Sequence, residues 1–180
     1  MVYVFFADGF EEVEALTTVD LIRRSGVELK MVSIMGKKQV FGAHGIHIVT
    51  DLLFEDIEEG AEMLVLPGGM PGTTNLKEHA GLAECLKKQY EASGWLAAIC
   101  AAPSVFAGLG FLKDKNATSY PGCLEAEDCA SYLEEEVVVD GKIVTSRGVG
   151  TAIPFALKLI EILKGKEVSD QVASSIIFKA

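Results

Sequence analysis

The run Leu96-Ala97-Ala98-Ile99 constrains the fold more than any other stretch of the chain. It is short, uncharged and apolar throughout, which suits a strand buried on both faces. Such a strand needs a covering layer on each side of its sheet. Gly94 punctuates its start, and its end is abrupt: Cys100 is followed by Ala101, Ala102 and Pro103. Proline fits an early helical position, where its missing N–H costs little. The spacing therefore predicts a strand that turns into a helix at Cys100, with small neighbours permitting a tight corner. This is the logic of a nucleophile elbow, with sulfur in place of a serine oxygen. A thiol at a helix N-terminus meets the positive end of the macrodipole, which favours thiolate. The same cysteine also fits the role of a small buried hydrophobe, and this stretch alone leaves both readings open.

Comparable apolar runs recur with helical patterns between them. Val2 to Ala7, Val27 to Met35 and Glu62 to Leu66 read as strands. Glu11 to Ser25 reads as a helix, with acids at its start, Arg23-Arg24 at its end and Gly26 as its stop. Asn75 to Tyr90 reads as one amphipathic helix with Leu76, Leu82 and Leu86 as its stripe. Gln39 to Thr50 is an extended excursion suited to a hairpin or edge segment, and Asp51 to Glu59 an acidic stretch with a short helical piece. Ala117 to Tyr120 predicts a short strand and Leu124 to Leu133 a helix. Glu136 to Asp140 and Lys142 to Ser146 predict a hairpin across Asp140-Gly141. Arg147 to Thr151 is a glycine loop, followed by helices at Ala152 to Leu163 and Glu167 to Ser174. Strands alternating with helices imply a mainly parallel sheet covered on both faces. In such sheets the site lies outside the carboxyl ends of the strands, where the loops at Asp8 to Glu14, Pro67 to Gly72, Cys100 to Ala102 and Tyr120 to Cys123 meet.

Composition narrows the function classes. With 180 residues, 49% apolar and 23% charged, the chain is an ordinary globular protein with enough length for one well-filled core, expected as a single domain over residues 1–180. A formal net charge of −10 argues against nucleic acid or an anionic membrane as partner. No apolar run reaches bilayer length. Val2 to Phe6 reads as a first strand rather than a secretory leader, so a cytoplasmic location with free thiols is expected. Cys85, Cys100, Cys123 and Cys129 contain no C-x-x-C pair, and His44, His47 and His79 form no zinc-ligand set, so no metal is expected.

Cys100 is the candidate nucleophile. The N–H groups of Ala101 and Gly69 can face an oxyanion beside its sulfur, with Gly68 adjoining. Glu14 sits among Val13, Ala15 and Leu16, so it can point over the sheet end toward Cys100, where burial would raise its pKa and let it exchange a proton with sulfur. Glu11 and Glu12 read as solvated charges favoured by the helix dipole. His79 reads as a surface helix residue, and His44 reaches Cys100 only if the excursion folds back. Cys123 is a candidate resolving thiol.

Five blocks carry a wider similarity: Asp8-Gly9-Phe10-Glu11-Glu12-Val13-Glu14, Val19 to Gly26, Val65-Leu66-Pro67-Gly68-Gly69, Ala97 to Pro103, and Thr145 to Ala152. In this order and spacing the chain resembles the DJ-one/ThiJ/PfpI superfamily, in its DJ-one/ThiJ-like branch, over nearly its whole length. The resemblance implies an α/β, flavodoxin-like three-layer sandwich and a homodimer. It implies that Cys100 is the oxidisable elbow cysteine, that protonated Glu14 hydrogen-bonds it, that Gly69 and Ala101 donate near the sulfur, and that Arg24 lies near the site and a dimer contact. It implies cofactor-free glyoxalase or deglycase chemistry on small carbonyls such as methylglyoxal, in oxidative or carbonyl stress protection. The alternative is a redox sensor or chaperone-like protein working through oxidation of Cys100. Three positions depart from the pattern. Tyr120 stands where the family's namesake has a histidine, His44 where it has an arginine that approaches the partner subunit, and Ala101 where the PfpI-type proteases have a histidine. The last departure disfavours a protease. The absence of a late histidine disfavours a glutamine amidotransferase.

Overall fold

In the computed structural model, which describes residues 1–178, the hydrophobic pattern and the layers agree. β1 (Val2–Phe6), β6 (Met63–Leu66) and β7 (Trp95–Ile99) form the middle of a seven-stranded sheet. β2 (Leu29–Ser33) and β5 (Leu52–Leu53) extend it on one side, β11 (Ile143–Ser146) and β10 (Val137–Asp140) on the other. The order is β10-β11-β7-β6-β1-β2-β5, and every pairing is parallel except β10 with β11. Because side chains alternate across a strand, each apolar run supplies two cores. Val4, Phe6, Val65, Ala97 and Ile99 pack with α1 (Glu12–Arg24), α5 (Ala152–Lys164) and α6 (Lys166–Ser175). Phe5, Leu64, Leu66, Leu96 and Ala98 pack with α2 (Gly72–Glu78), α3 (Ala80–Glu91) and α4 (Pro103–Gly108).

The chain leaves β1 outward to β2 and β5, then returns to the other side of β1 as β6. This reversal opens a crevice at the carboxyl ends of β1 and β6, the place where open α/β sheets put their ligands. The excursion is the expected hairpin, β3 (Gln39–Phe41) with β4 (His47–Val49), and it forms no part of the main sheet. No helix among the described residues is long and apolar enough to cross a membrane.

Two local expectations are corrected. The single helix over Asn75 to Tyr90 is two, broken at His79, whose Nδ1 accepts the Leu82 N–H at 2.9 Å and caps α3. Its ring also meets Phe54 edge-on at 4.7 Å between centroids, so capping and packing outweigh continuity of the apolar stripe. The helix expected over Leu124 to Leu133 is a series of turns ending in β9 (Ser131–Tyr132), which pairs with β8 (Asn116–Ala117). There the Ala130 and Leu133 amides donate to Lys115 and Ala117, a non-local pairing that overrides helix propensity. The acidic stretch after Asp51 holds the expected short helical piece, a 3-10 turn at Phe54–Asp56, directly after β5.

Leu86 is fully buried between α3 and the sheet. Leu86→Ala is expected to lower the unfolding free energy by about 2–5 kcal/mol. Replacing its exposed neighbour, Lys87→Ala, is expected to change it by less than about 0.5 kcal/mol. Urea denaturation of the two variants checks this.

Candidate active site

The site is assembled by backbone joining the loops that follow β1 and β6. The Glu11 N–H donates to Gly68 O at 2.9 Å, and the Gly72 N–H to Gly9 O at 3.1 Å. This closeness depends on glycine. Gly69 has φ +92°, and a Cβ there would lie 2.3 Å from Glu11 N. At Gly68 a Cβ would lie 2.6 Å from the Cys100 Cβ and 2.7 Å from Glu14 Oε2, so its missing side chain is the space in which thiol and carboxyl meet.

Cys100 has φ +65°, a left-handed conformation that non-glycine residues rarely adopt and that stores roughly 1–3 kcal/mol of strain. Two hydrogen bonds hold it: its N–H donates to Ser146 O at 3.0 Å, and Tyr120 N–H donates to its carbonyl at 2.8 Å. The elbow expected from Pro103 and the flanking alanines is therefore present.

The three acids at the start of α1 take different parts. Glu11 caps the helix, its Oε2 accepting the Glu14 N–H at 2.7 Å. Glu12 is 2% exposed and accepts the His44 N–H (2.7 Å), the His44 Nδ1 hydrogen (2.8 Å) and the Ile46 N–H (3.4 Å). Both residues were expected to be solvated, and both are buried, because the excursion folds over them. Glu14 is 1% exposed; its Oε2 accepts the Gly68 N–H at 3.0 Å, while Oε1 is buried with no partner. The Cys100 thiol beside it is the group with which that carboxyl can exchange a proton.

Burial pushes Glu14 up to about 7, against a hydrogen bond from Cys100 that pulls it down; the Glu11 charge adds to the rise. Burial also pushes the Cys100 thiol up to about 12, reinforced by the Glu14 carboxylate, while the Ala101 and Gly69 N–H groups pull it down. The thiolate expected from the helix dipole is thus opposed by a neighbouring negative charge. α4 is only six residues long and offsets little of it. The pair titrates as one unit: a proton on Glu14 removes the repulsion and leaves the sulfur to the two amides. At Glu12, burial pushes the carboxyl up, but the His44 ring and the amides more than offset it and hold it low. The Glu12 hydrogen bond and charge in turn raise His44.

A cavity of about 650 Å³ opens over Cys100, walled by Glu11, Glu14, His44, Tyr120, Arg147 and Thr151. His44 folds back onto it, as required for a same-chain role. Tyr120 lines it through a half-exposed ring. Arg24 is not brought to it. That residue lies in the last turn of α1, ten residues or about 15 Å along the helix from Glu14, paired with Asp20 in solvent at 2.7 Å. Cys123 donates its N–H to Tyr120 O but does not line the cavity. Arg147 does line it and was missed, although it follows the carboxyl end of β11 directly. Thr151 Oγ1 accepts the Arg147 and Gly148 N–H groups at 3.2 and 3.0 Å and shapes that wall. Glu11, Glu12 and His44 place ligand-type atoms within 4.8 Å of one another, but the Glu12 oxygens and His44 Nδ1 are already committed to anchoring the excursion.

Because the folded state holds Glu14 protonated to about pH 7, against an ordinary value of 4.5, its favourable contribution is complete below pH 4.5 and is lost as pH rises through 7. Relative to Glu14→Gln, the parent chain is expected to lose roughly 3 kcal/mol of stability between about pH 4.5 and 8. Urea denaturation across that range checks the sign and size.

The DJ-1/PfpI family profile matches residues 1–162. Protein DJ-1 homolog A of Arabidopsis thaliana is 41% identical over 99% of the chain, which spans about half (46%) of that relative's length. The glutathione-independent glyoxalase DJR-1.2 of Caenorhabditis elegans is 32% identical, with 90% of the chain and 87% of the relative covered. The crystal structure of Drosophila melanogaster DJ-1beta superposes with a TM-score of 0.95 at 34% identity, over 99% of this chain and 98% of that one. With both its fold and its sequence in agreement with these relatives, the chain belongs to the DJ-1/PfpI family.

Proposed function

We propose that the chain is a cysteine-dependent enzyme of glyoxalase type, acting without a cofactor on small reactive carbonyls such as methylglyoxal. The observation that carries this reading is the Glu14 carboxyl, buried beside the Cys100 thiol, poised at about 7 and with Oε1 unpartnered. A general acid and base works best with a pKa near the operating pH. The name of the nematode relative, a glutathione-independent glyoxalase, supports the same class.

Glu14 takes the Cys100 proton as sulfur adds to the aldehyde carbon, and the oxygen that gains charge is met by the Gly69 and Ala101 N–H groups. Proton transfer from that carbon to the neighbouring carbonyl carbon, with Glu14 as carrier, turns the hemithioacetal into a thioester of the 2-hydroxy acid. Water attacks the thioester carbon, the carbon–sulfur bond breaks, and the thiol regains its proton. No electrons are gained or lost overall.

A second reading, in which oxidation of Cys100 is itself the signal, is favoured by Tyr120. The side chain lining the cavity at that position is a phenol, where the family's namesake has an imidazole, the side chain best suited to shuttling protons.

Lactate formation from methylglyoxal without added thiol separates the two. The parent chain is expected to produce lactate, Cys100→Ser none, and Glu14→Gln at least about a hundredfold less. A parent chain that forms no lactate, while peroxide oxidises Cys100 selectively, would replace the enzyme reading with the sensor.

A further inference from the structure

A second cavity, of about 430 Å³, lies on the α3 side of the sheet toward the amino ends of β1 and β6, at the far end of the strands from Cys100. Its size is within the range that holds small organic ligands, roughly 300–1,000 Å³. Tyr3, Phe54, Ile57 and Leu64 make it predominantly apolar. Its polar side chains are Tyr3, Glu58, Glu59, Lys88 and Gln89, the last donating through Nε2 to Ala61 O and Trp95 O. The Tyr3 hydroxyl accepts the Glu58 N–H at 3.1 Å, and Tyr3 is 4% exposed. The hydroxyl's own proton has no acceptor among the described residues. Glu58, Glu59 and Lys88 also border the cavity, with Lys88 Nζ and Glu59 Oε1 paired at 2.9 Å in solvent. Two acids against one base, on a chain of net charge −10, disfavour an anion there. The half-buried Cys85 thiol, which the chemistry at Cys100 does not use, forms part of the wall.

An unused donor within an apolar pocket selects its occupant. A bound molecule gains a hydrogen bond there if it brings an acceptor to the Tyr3 O–H. We propose that this cavity is a second binding site, for a small, neutral, largely apolar carbonyl compound whose carbonyl oxygen accepts the Tyr3 O–H and whose body packs on Phe54, Ile57 and Leu64. The site is separate from Cys100 and does not depend on the activity proposed there.

The fluorescent ketone 6-propionyl-2-(dimethylamino)naphthalene is a suitable probe, because its emission moves to shorter wavelength in apolar surroundings and again when its carbonyl loses a hydrogen-bond donor. Saturable binding of one molecule per chain, with blue-shifted emission and unchanged in Cys100→Ser, is expected. Tyr3→Phe is expected to weaken binding about tenfold and to shift the bound emission further to the blue, which a purely structural effect would not do. Ala61→Phe, at a partly exposed wall position, is expected to abolish binding with the far-UV circular dichroism unchanged. Bound probe is expected to slow N-ethylmaleimide labelling of Cys85. The proposal is overturned if emission stays at its aqueous wavelength, if Tyr3→Phe leaves affinity and emission unaltered, or if Cys100→Ser removes the binding. It is overturned equally if the anion 8-anilinonaphthalene-1-sulfonate competes as tightly as the ketone.

Discussion

The burial of the Glu14 carboxyl is the constraint on which the carboxyl edge of the sheet depends. A carboxyl held away from water resists ionisation, and this one has a single amide, from Gly68, to stabilise it. The arrangement is possible because Glu11 fixes the first turn of α1 and because the turn after β6 has no Cβ where thiol and carboxyl meet. Each of these supports is itself joined to the next: Glu11 donates its N–H to the same Gly68 whose N–H reaches Glu14. Thiol and carboxyl therefore share one rigid frame, and a change in either alters the proton affinity of both.

Within three residues of one another on α1, three glutamates differ sharply in circumstance. The cap, the anchor and the carboxyl beside the thiol are distinguished by their partners, not by their side chains. Glu12 is kept charged by an imidazole and two amides, while Glu14 is pushed toward neutrality by having almost none. Environments that drive like groups apart in this way are typical of sites where one group must move a proton while another stays fixed. His44 belongs to the second kind: its Nδ1 is tied to the anchor, so the cavity's imidazole serves the shape of the cavity first.

The strands were legible because burial on both faces leaves little choice but an uninterrupted apolar run, and the elbow because only small residues and an early proline fit the corner. Glu14 could be read for the same reason, set among apolar neighbours. Glu12 could not, since the partners that bury it stand more than thirty residues away, and a charge at a helix start looks the same whether or not a hairpin later covers it. The break at His79 and the pairing of β8 with β9 were hidden likewise, each being decided by a distant ring or carbonyl. Arg24 lies at the far end of α1 from its own chain's cavity, where helix geometry sends it. Arg147 was within reach: it leaves a strand parallel to β7, on the edge where Cys100 lies.

The left-handed backbone at Cys100 bears on how such a chain can change over generations. Its conformation suits glycine better than any residue with a Cβ, so the corner keeps a side chain there at a steady energetic disadvantage. Selection for robustness alone would drift this position toward glycine, and the chain would gain stability as it lost its thiol. A cysteine at that backbone angle is carried against a preference that glycine would satisfy.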